Sequence, residues 1–251
     1  MQPSVRANAR ICRGCWDQMH VPIPIRGVLA MPFRAFGITR SKMNPNICTI
    51  CERSFSLVQR RRHISAHATI LFADIRGFTH LSERMDAPTL SAIVSTFQDQ
   101  CARAIWEHDG IVNKQMGDGL MAIFNFPIRN KRHAASAITA AIEVQRRCAS
   151  ALSGLAAHGL DIPAGTLGVG VGVHSGQVEI GEFSSFRSDF TAIGGTVNMT
   201  ARLESQAAAG EILISSDAAA EAPELVADAA ARTIALKGFE RPVPVRVLTP
   251  H

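Results

Sequence analysis

The chain has 251 residues, 47% of them apolar and 19% charged. That is the balance of a soluble globular protein with one large core and a small appendage. The net charge of +5 is too mild to define a polyanion-binding protein, and no stretch reaches the roughly 18 uncharged apolar residues of a membrane-spanning helix. Six cysteines do not make a disulfide scaffold and no signal-peptide pattern opens the chain, so a cytoplasmic protein with its sulfurs as thiols or metal ligands is expected.

Two units are predicted, a Cys-rich module over residues 1–66 and a regular domain over 67–251. The first is rich in Arg, Pro, Cys and Met and shows no sustained period; Met1 to Arg10 is expected to be disordered. It carries Cys12-Arg13-Gly14-Cys15 and Cys48-Thr49-Ile50-Cys51, two CxxC pairs separated by 32 residues. Four thiolates suit a tetrahedral structural Zn²⁺; a thiol redox switch or an iron–sulfur centre fits the same residues. Cys48 and Cys51 with His63 and His67 nearly spell a nucleic-acid-binding finger, one residue short in its spacing and with His67 against a strand. His20 reads as solvated. Arg60-Arg61-Arg62-His63 and Arg129-Asn130-Lys131-Arg132-His133 read as solvated corners, with contact to phosphate groups as the alternative.

From Ala68 the pattern becomes regular. Ala68 to Asp74 is a near-continuous apolar run, a buried strand. Ala87 to His108 predicts a helix with Leu90, Ile93, Val94, Phe97, Cys101 and Ile105 on one stripe and Pro88 in its first turn. Ile111 to Gln115 and Leu120 to Phe124 predict a hairpin around Met116-Gly117-Asp118-Gly119. Lys131 to Leu155 predicts a second helix. Thr166 to His174 and Gln177 to Phe183 read as another hairpin turning at Ser175-Gly176. Gly194 to Ala208 predicts a third helix, and the Ala-rich stretch 218–231 a surface helix and loop. Glu211 to Ser215, Arg232 to Leu236 and Val243 to Leu248 are short terminal strands. Cys101 and Cys148 fall on helices as buried small residues. The fold class is α+β, a ferredoxin-like βαββαβ core with extra C-terminal strands and helices.

Two carboxylates stand out. Asp74 ends the first strand in Leu71-Phe72-Ala73-Asp74-Ile75-Arg76-Gly77-Phe78-Thr79, and Asp118 occupies the tip of the hairpin. Acids at adjacent strand ends suit hard divalent ions whose other ligands are phosphate oxygens and water. Backbone N–H groups where Phe78 and Thr79 open a helix can face an anion. Asn198 and Arg202, four apart in Thr196-Val197-Asn198-Met199-Thr200-Ala201-Arg202-Leu203-Glu204, share one helix face.

Together these segments resemble the class III nucleotidyl cyclases over roughly residues 66 to 249. The resemblance implies an adenylate cyclase that converts ATP to 3′,5′-cyclic AMP and pyrophosphate. Two Mg²⁺ or Mn²⁺ ions per site would be held by Asp74, the Ile75 carbonyl and Asp118. Phe78 and Thr79 would cradle the triphosphate. Lys114 and Asp189 stand where ATP-using members carry Lys and Asp or Thr, and GTP-using members Glu and Cys; Lys can donate to adenine N1 and Asp can accept from N6. Asn198 would orient the ribose, Arg202 would stabilise charge on the α-phosphoryl group, and Lys237 would reach the outer phosphates. No side chain is an obvious general base. The resemblance further implies a homodimer in which Asp74 and Asp118 of one chain meet Lys114, Asp189, Asn198, Arg202 and Lys237 of the other. The sequence departs from the family at Gly195, where an Asp is usual; this removes a potential helix cap. Two alternatives stay open: a weakly active nucleotide-binding regulator with this fold, and a nucleic-acid-binding protein using the Cys module, although nucleic acid is not the expected partner.

Overall fold

The computed structural model describes residues 9–52, 64–157, 167–183, 190–239 and 241–250. In chain order the elements are α1 (Arg13–Met19), α2 (Met31–Ala35), β1 (Ile64–Arg76), α3 (Phe78–Ser82), α4 (Ala87–Glu107), β2 (Ile111–Met116), β3 (Gly119–Phe124), α5 (His133–Ala157), β4 (Gly168–Glu182), β5 (Phe190–Ile193), α6 (Gly195–Gln206), β6 (Ile212–Ser215), α7 (Ser216–Glu221), β7 (Ala230–Ile234) and β8 (Val243–Leu248). The sheet runs β2-β3-β1-β4-β6-β8-β7, with β5 added to β4. All pairings are antiparallel except β4 with β6. The βαββαβ core is therefore present, extended beyond β4 by the C-terminal strands.

One face of the sheet is closed by α4 and α5. Asp86 caps α4, its carboxylate accepting from Thr89 N–H at 3.1 Å, and Pro88 sits where no helical partner is needed. Ile93, Phe97, Cys101 and Ile105 of α4 meet Ala137, Ile138, Ala141 and Val144 of α5 over Leu71, Ala73 and Ile75. Arg147 binds both Glu107 and Glu143 across the helix pair. Cys101 and Cys148 are both buried in this core, their sulfurs 3.8 Å apart.

Strand β4 works on both faces. Val169, Val171 and Val173 point into the helical core. The alternating Gly168, Gly170 and Gly172 face the other way, against Ala209, the Arg76 guanidinium and the backbone of α6 respectively. A Cβ on Gly172 would come within 2.4 Å of Glu204 N and 2.6 Å of Thr200 O. The missing side chains are thus what allows helix and strand backbones to approach.

The hairpin expected at Ser175-Gly176 does not exist. Both residues continue β4, paired with Thr69 and Ala68 of β1. The Ser175 hydroxyl lies 2.8 Å from Thr69 Oγ1 in the interior. Gly176 is needed for packing, since a Cβ there would sit 2.6 Å from Thr196 Oγ1. Thr166 lies outside the described residues. The Ala-rich stretch 218–231 is less of a surface element than expected: α7 is short, and Ala218, Ala219, Ala222, Val226 and Ala229 join the core. β1 begins at Ile64, earlier than its apolar run, and β5 was not foreseen. Residues 1–8 lie outside the described part, but Arg10 is ordered, its carbonyl accepting from Ile25 N–H at 2.9 Å. Arg60, Arg61, Arg62 and His63 also lie outside it. Among the described residues no helix is long and apolar enough to cross a membrane.

Because backbone atoms, not a flexible side-chain end, oppose a Cβ at position 172, Gly172→Ala must push α6 away from β4. The expected loss is at least the ~1–3 kcal/mol typical of overpacking, read as a lowered urea midpoint. Gly154→Ala, with nothing near its Cβ position, is the comparison and should leave the midpoint unchanged or raise it slightly.

Candidate active site

Asp74 projects from the end of β1, directly across from Gly119 of β3. A Cβ on Gly119 would lie 2.9 Å from Asp74 Oδ1, so the hairpin tip can approach the acid only without a side chain there. The Asp118 carbonyl accepts from Ile75 N–H at 3.2 Å. That bond ties the hairpin turn to the end of β1 and brings the segments of Asp74, Ile75 and Asp118 together. Gly77, in the left-handed region at φ 81°, then turns the chain into α3. Phe78 packs partly against the helical core while Thr79 is exposed.

Arg76 braces this end of the sheet. Its Nη1 donates to Asp74 Oδ2 at 2.9 Å, its Nε donates to the Ala207 carbonyl at 2.8 Å, and its Nη2 reaches the Glu204 carboxylate and carbonyl. The guanidinium lies over Gly170, where any Cβ would collide with it. Even with this cation beside it, Asp74 is pushed up to about 6, by burial first and by the Asp118 and Glu204 charges next. Burial likewise raises Glu204 against the pull of Arg76. A site in which acids crowd beyond what one arginine neutralises is suited to divalent cations, and Asp74 and Asp118 are the residues that would hold them.

The remaining expected residues lie on other elements. Lys114 sits half-buried on β2, next to a bulge between Val112 and Lys114. Its neighbour Asn113 reaches across to β5: Nδ2 donates to the Phe190 carbonyl at 2.8 Å, and Thr191 Oγ1 donates to Asn113 Oδ1 at 3.2 Å. Asp189, which precedes Phe190, lies outside the described residues. Asn198 is exposed in the first turn of α6, and Arg202 one turn later lies close to Gly238, whose Cβ position is 3.8 Å from Arg202 Nη2. Lys237, beside that glycine, is exposed. Arg202 and the Lys237 turn are therefore neighbours. Among the described residues no hydrogen bond or ion pair joins Asp74 or Asp118 to Lys114, Asn198, Arg202 or Lys237.

No side chain caps α6, but not because of Gly195: the cap position is Gly194 at φ 130°, and Gly195 is the first residue of the helix rather than the one before it. Thr196 secures the first turn instead, donating to the Gln177 carbonyl at 2.7 Å. The finger ligand set is overturned. His67 lies on β1 with Nε2 2.7 Å from Glu221 Oε1, whereas Cys48 and Cys51 are buried with Cys12 and Cys15. His20 is exposed, as expected. Sequence reasoning missed Arg76, Glu204 and Asn113. The Gly-Val alternation of β4 was the one visible sign that a helix must lie close to this end of the sheet.

Asp74→Asn removes a charge that the fold holds at a cost. With an unfolded pKa near ~3.9 and a folded value of about 6, ionisation weakens the folded state as pH rises through this window. In the absence of divalent ions the variant should be the more stable protein above pH 6, its advantage vanishing below about pH 4. Urea unfolding of both proteins at the two pH extremes checks this.

The comparisons agree with this architecture. Residues 61–240 match the family model described as the adenylate and guanylate cyclase catalytic domain. Adenylate cyclase 1 of Rhizobium meliloti is 32% identical over 137 residues, 54% of this chain and 20% of that protein. The uncharacterized protein Rv1319c of Mycobacterium tuberculosis is 30% identical over 188 residues, 73% of this chain and 33% of that protein. The chain thus spans no more than about a third of these curated relatives. Among solved structures, the adenylyl cyclase CyaB from P. aeruginosa superposes with a TM-score of 0.66 at 32% identity, covering 74% of this chain and 96% of that one. The guanylyl cyclase Cya2 gives 0.68 at 29% identity, covering 74% and 92%. With the family model spanning most of the chain and the fold shared with both kinds of enzyme, the protein belongs to the class III adenylate/guanylate cyclase catalytic domain family.

Proposed function

We propose that this chain is an adenylate cyclase, converting ATP to 3′,5′-cyclic AMP and pyrophosphate at a site completed by a second copy of itself. The observation that carries the reading is the convergence of Asp74, Ile75 and Asp118 at one strand end, beside a Gly77 turn into Phe78 and Thr79. In this reading Asp74, the Ile75 carbonyl and Asp118 hold two Mg²⁺ or Mn²⁺ ions. When bound, these neutralise charge on the attacking and leaving oxygens of the in-line displacement. Phe78 and Thr79 cradle the triphosphate. Asn198 orients the ribose for attack of its 3′-oxygen on the α-phosphorus, and Arg202 offers a permanently charged planar fork to the phosphoryl oxygens. Lys237 meets the outer phosphates.

The choice of ATP rests on Lys114 and Asp189. The Asn113 bridge to Phe190 and Thr191 supports it, because it fixes the strand bearing Lys114 against the segment that follows Asp189. A lysine donor with a carboxylate acceptor suits the adenine edge, and guanine presents the reverse. The homodimer is supported by exposed apolar Met116, Ile193 and Phe239, which lie near Asp118, Asn198 and Lys237 in sequence.

The test is cyclic nucleotide formation by the purified chain with Mn²⁺, supplying ATP and GTP in parallel. Cyclic AMP should form, with GTP slower by at least about a hundredfold, since a site built for one hydrogen-bonding edge leaves buried groups unpaired with the other. Asp74→Ala should abolish turnover, Arg202→Ala should lower kcat by about 10²–10³-fold, and Lys114→Glu should shift preference toward GTP. Mixing Asp74→Ala with Arg202→Ala should restore part of the activity, as one intact composite site re-forms. A larger rate with GTP would overturn the base assignment. No product from a dimeric protein with either nucleotide would favour a nucleotide-binding regulator.

A further inference from the structure

The face of the sheet opposite α4 and α5 carries a second apolar cluster, and residues 9–52 lie on it. Cys12, Cys15, Ile25, Ile47, Cys48 and Cys51 pack into one core with Ile70, Phe72, Ile111, Met121, Ile123 and Ile180. We propose that Cys12, Cys15, Cys48 and Cys51 bind one Zn²⁺, and that this ion fastens the N-terminal module onto the sheet beside β2.

The sulfur geometry carries the assignment. All four Sγ atoms lie within 4.8 Å of one another, with Cys12–Cys51 and Cys15–Cys48 at 3.5 Å and Cys15–Cys51 at 3.2 Å. The edge of a tetrahedron built on a Zn–S length near ~2.3 Å is about 3.8 Å. Disulfides would pair the sulfurs at about 2.05 Å and leave the pairs apart. Cys12 Sγ accepts from Cys15 N–H at 3.4 Å and from Cys48 N–H at 3.2 Å. Donation from two amides favours the thiolate form that a metal requires. The second residue of one CxxC pair lies in the first turn of α1, which Cys12 caps. Gly14 leaves room for the other pair, since a Cβ there would stand 2.9 Å from Cys51 Sγ.

The module also needs such a staple. Of the seven buried apolar side chains between residues 9 and 52, four are these cysteines; the others are Ile25, Ala30 and Ile47. With so few apolar side chains of its own, the module depends on its seat on the sheet and on a cross-link such as a metal. The sulfurs are buried, so the site is closed and structural, with no position left for a substrate.

What the staple holds is the turn from α4 into β2. Arg13 pairs with the buried Asp109 carboxylate. Trp106 Nε1 and Val112 N–H both donate to the Met43 carbonyl, at 2.6 and 3.0 Å, and Asn44 Nδ2 donates to the Gly110 carbonyl at 2.8 Å. Lys114 follows two residues after Val112. The metal centre is thereby linked through short contacts to the strand that carries Lys114.

The test is metal analysis of the full chain purified under reducing conditions from Zn²⁺-supplemented cells. One Zn²⁺ per chain is expected, with thiolate-to-metal charge-transfer absorption after exchange into Co²⁺. Stripping the metal with a strong chelator should change Trp106 fluorescence, raise binding of an apolar dye and lower Tm. Cys101→Ser/Cys148→Ser should keep full metal content. Should Cys48→Ser fail to fold, Gly14→Ala serves instead: it should lose Zn²⁺ to a competing chelator at about 10–100-fold lower chelator concentration, in line with changes in the shell around a metal's ligands. Metal well below one per chain with no Co²⁺ charge-transfer band, an iron-containing coloured protein, or disulfides joining these cysteines in freshly purified protein would each overturn the assignment.

Discussion

The close approach of α6 to β4 is the constraint on which the site depends. Helix and strand backbones meet at Gly172 without an intervening side chain, and Gly170 leaves the space that the Arg76 guanidinium fills. The same proximity lets one guanidinium reach from the end of β1 to the last turn of α6, binding Asp74, Glu204 and the Ala207 carbonyl. A wider gap would strand Arg76, leave two partly buried carboxylates uncompensated and free the helix bearing Asn198 and Arg202. Packing and electrostatics are coupled here, because the space left by glycine hydrogens is the space occupied by an ion-pair network.

The sheet is asymmetric in how its faces are covered. One is sealed by two long helices with a conventional aliphatic core. The other is shared between α6 and the cysteine-bearing segment. The first face carries most of the packing, so the second can hold partly buried charge. Asp74 illustrates the trade: a carboxylate held up to about 6 weakens the fold wherever it ionises, and only a partner cation would offset that cost. Functional sites commonly place destabilising groups where a ligand compensates them.

The alternation of the sequence made most of the framework legible. Apolar stripes gave α4 and α5, and the Asp-Gly tip gave the hairpin of β2 and β3. Legibility failed where a residue had two physical meanings. Ser175-Gly176 has turn chemistry, but its glycine makes room for Thr196 and its serine bonds to Thr69 in the interior, and neither partner is local. The Ala-rich stretch after β6 lacks a long apolar side chain and so read as surface, yet alanine is what fits beneath α5. At the site, Asp74 and Asp118 were legible from their own segments. Arg76 was not, because two of its partners, Glu204 and Ala207, lie more than a hundred residues away and the third, Asp74, two residues back, is an acid already read for another role. The thiol quartet was legible from its spacing, but its seat on the sheet was not, since nothing local in residues 9–52 marks a docking face.

The cap position of α6 is Gly194, and Thr196 ties the first turn to the Gln177 carbonyl of β4. The start of α6 is therefore held by a tertiary contact rather than by a local cap. Its order is borrowed from the strand beneath it, so a change in β4 that moved Gln177 would be felt first at this end of the helix.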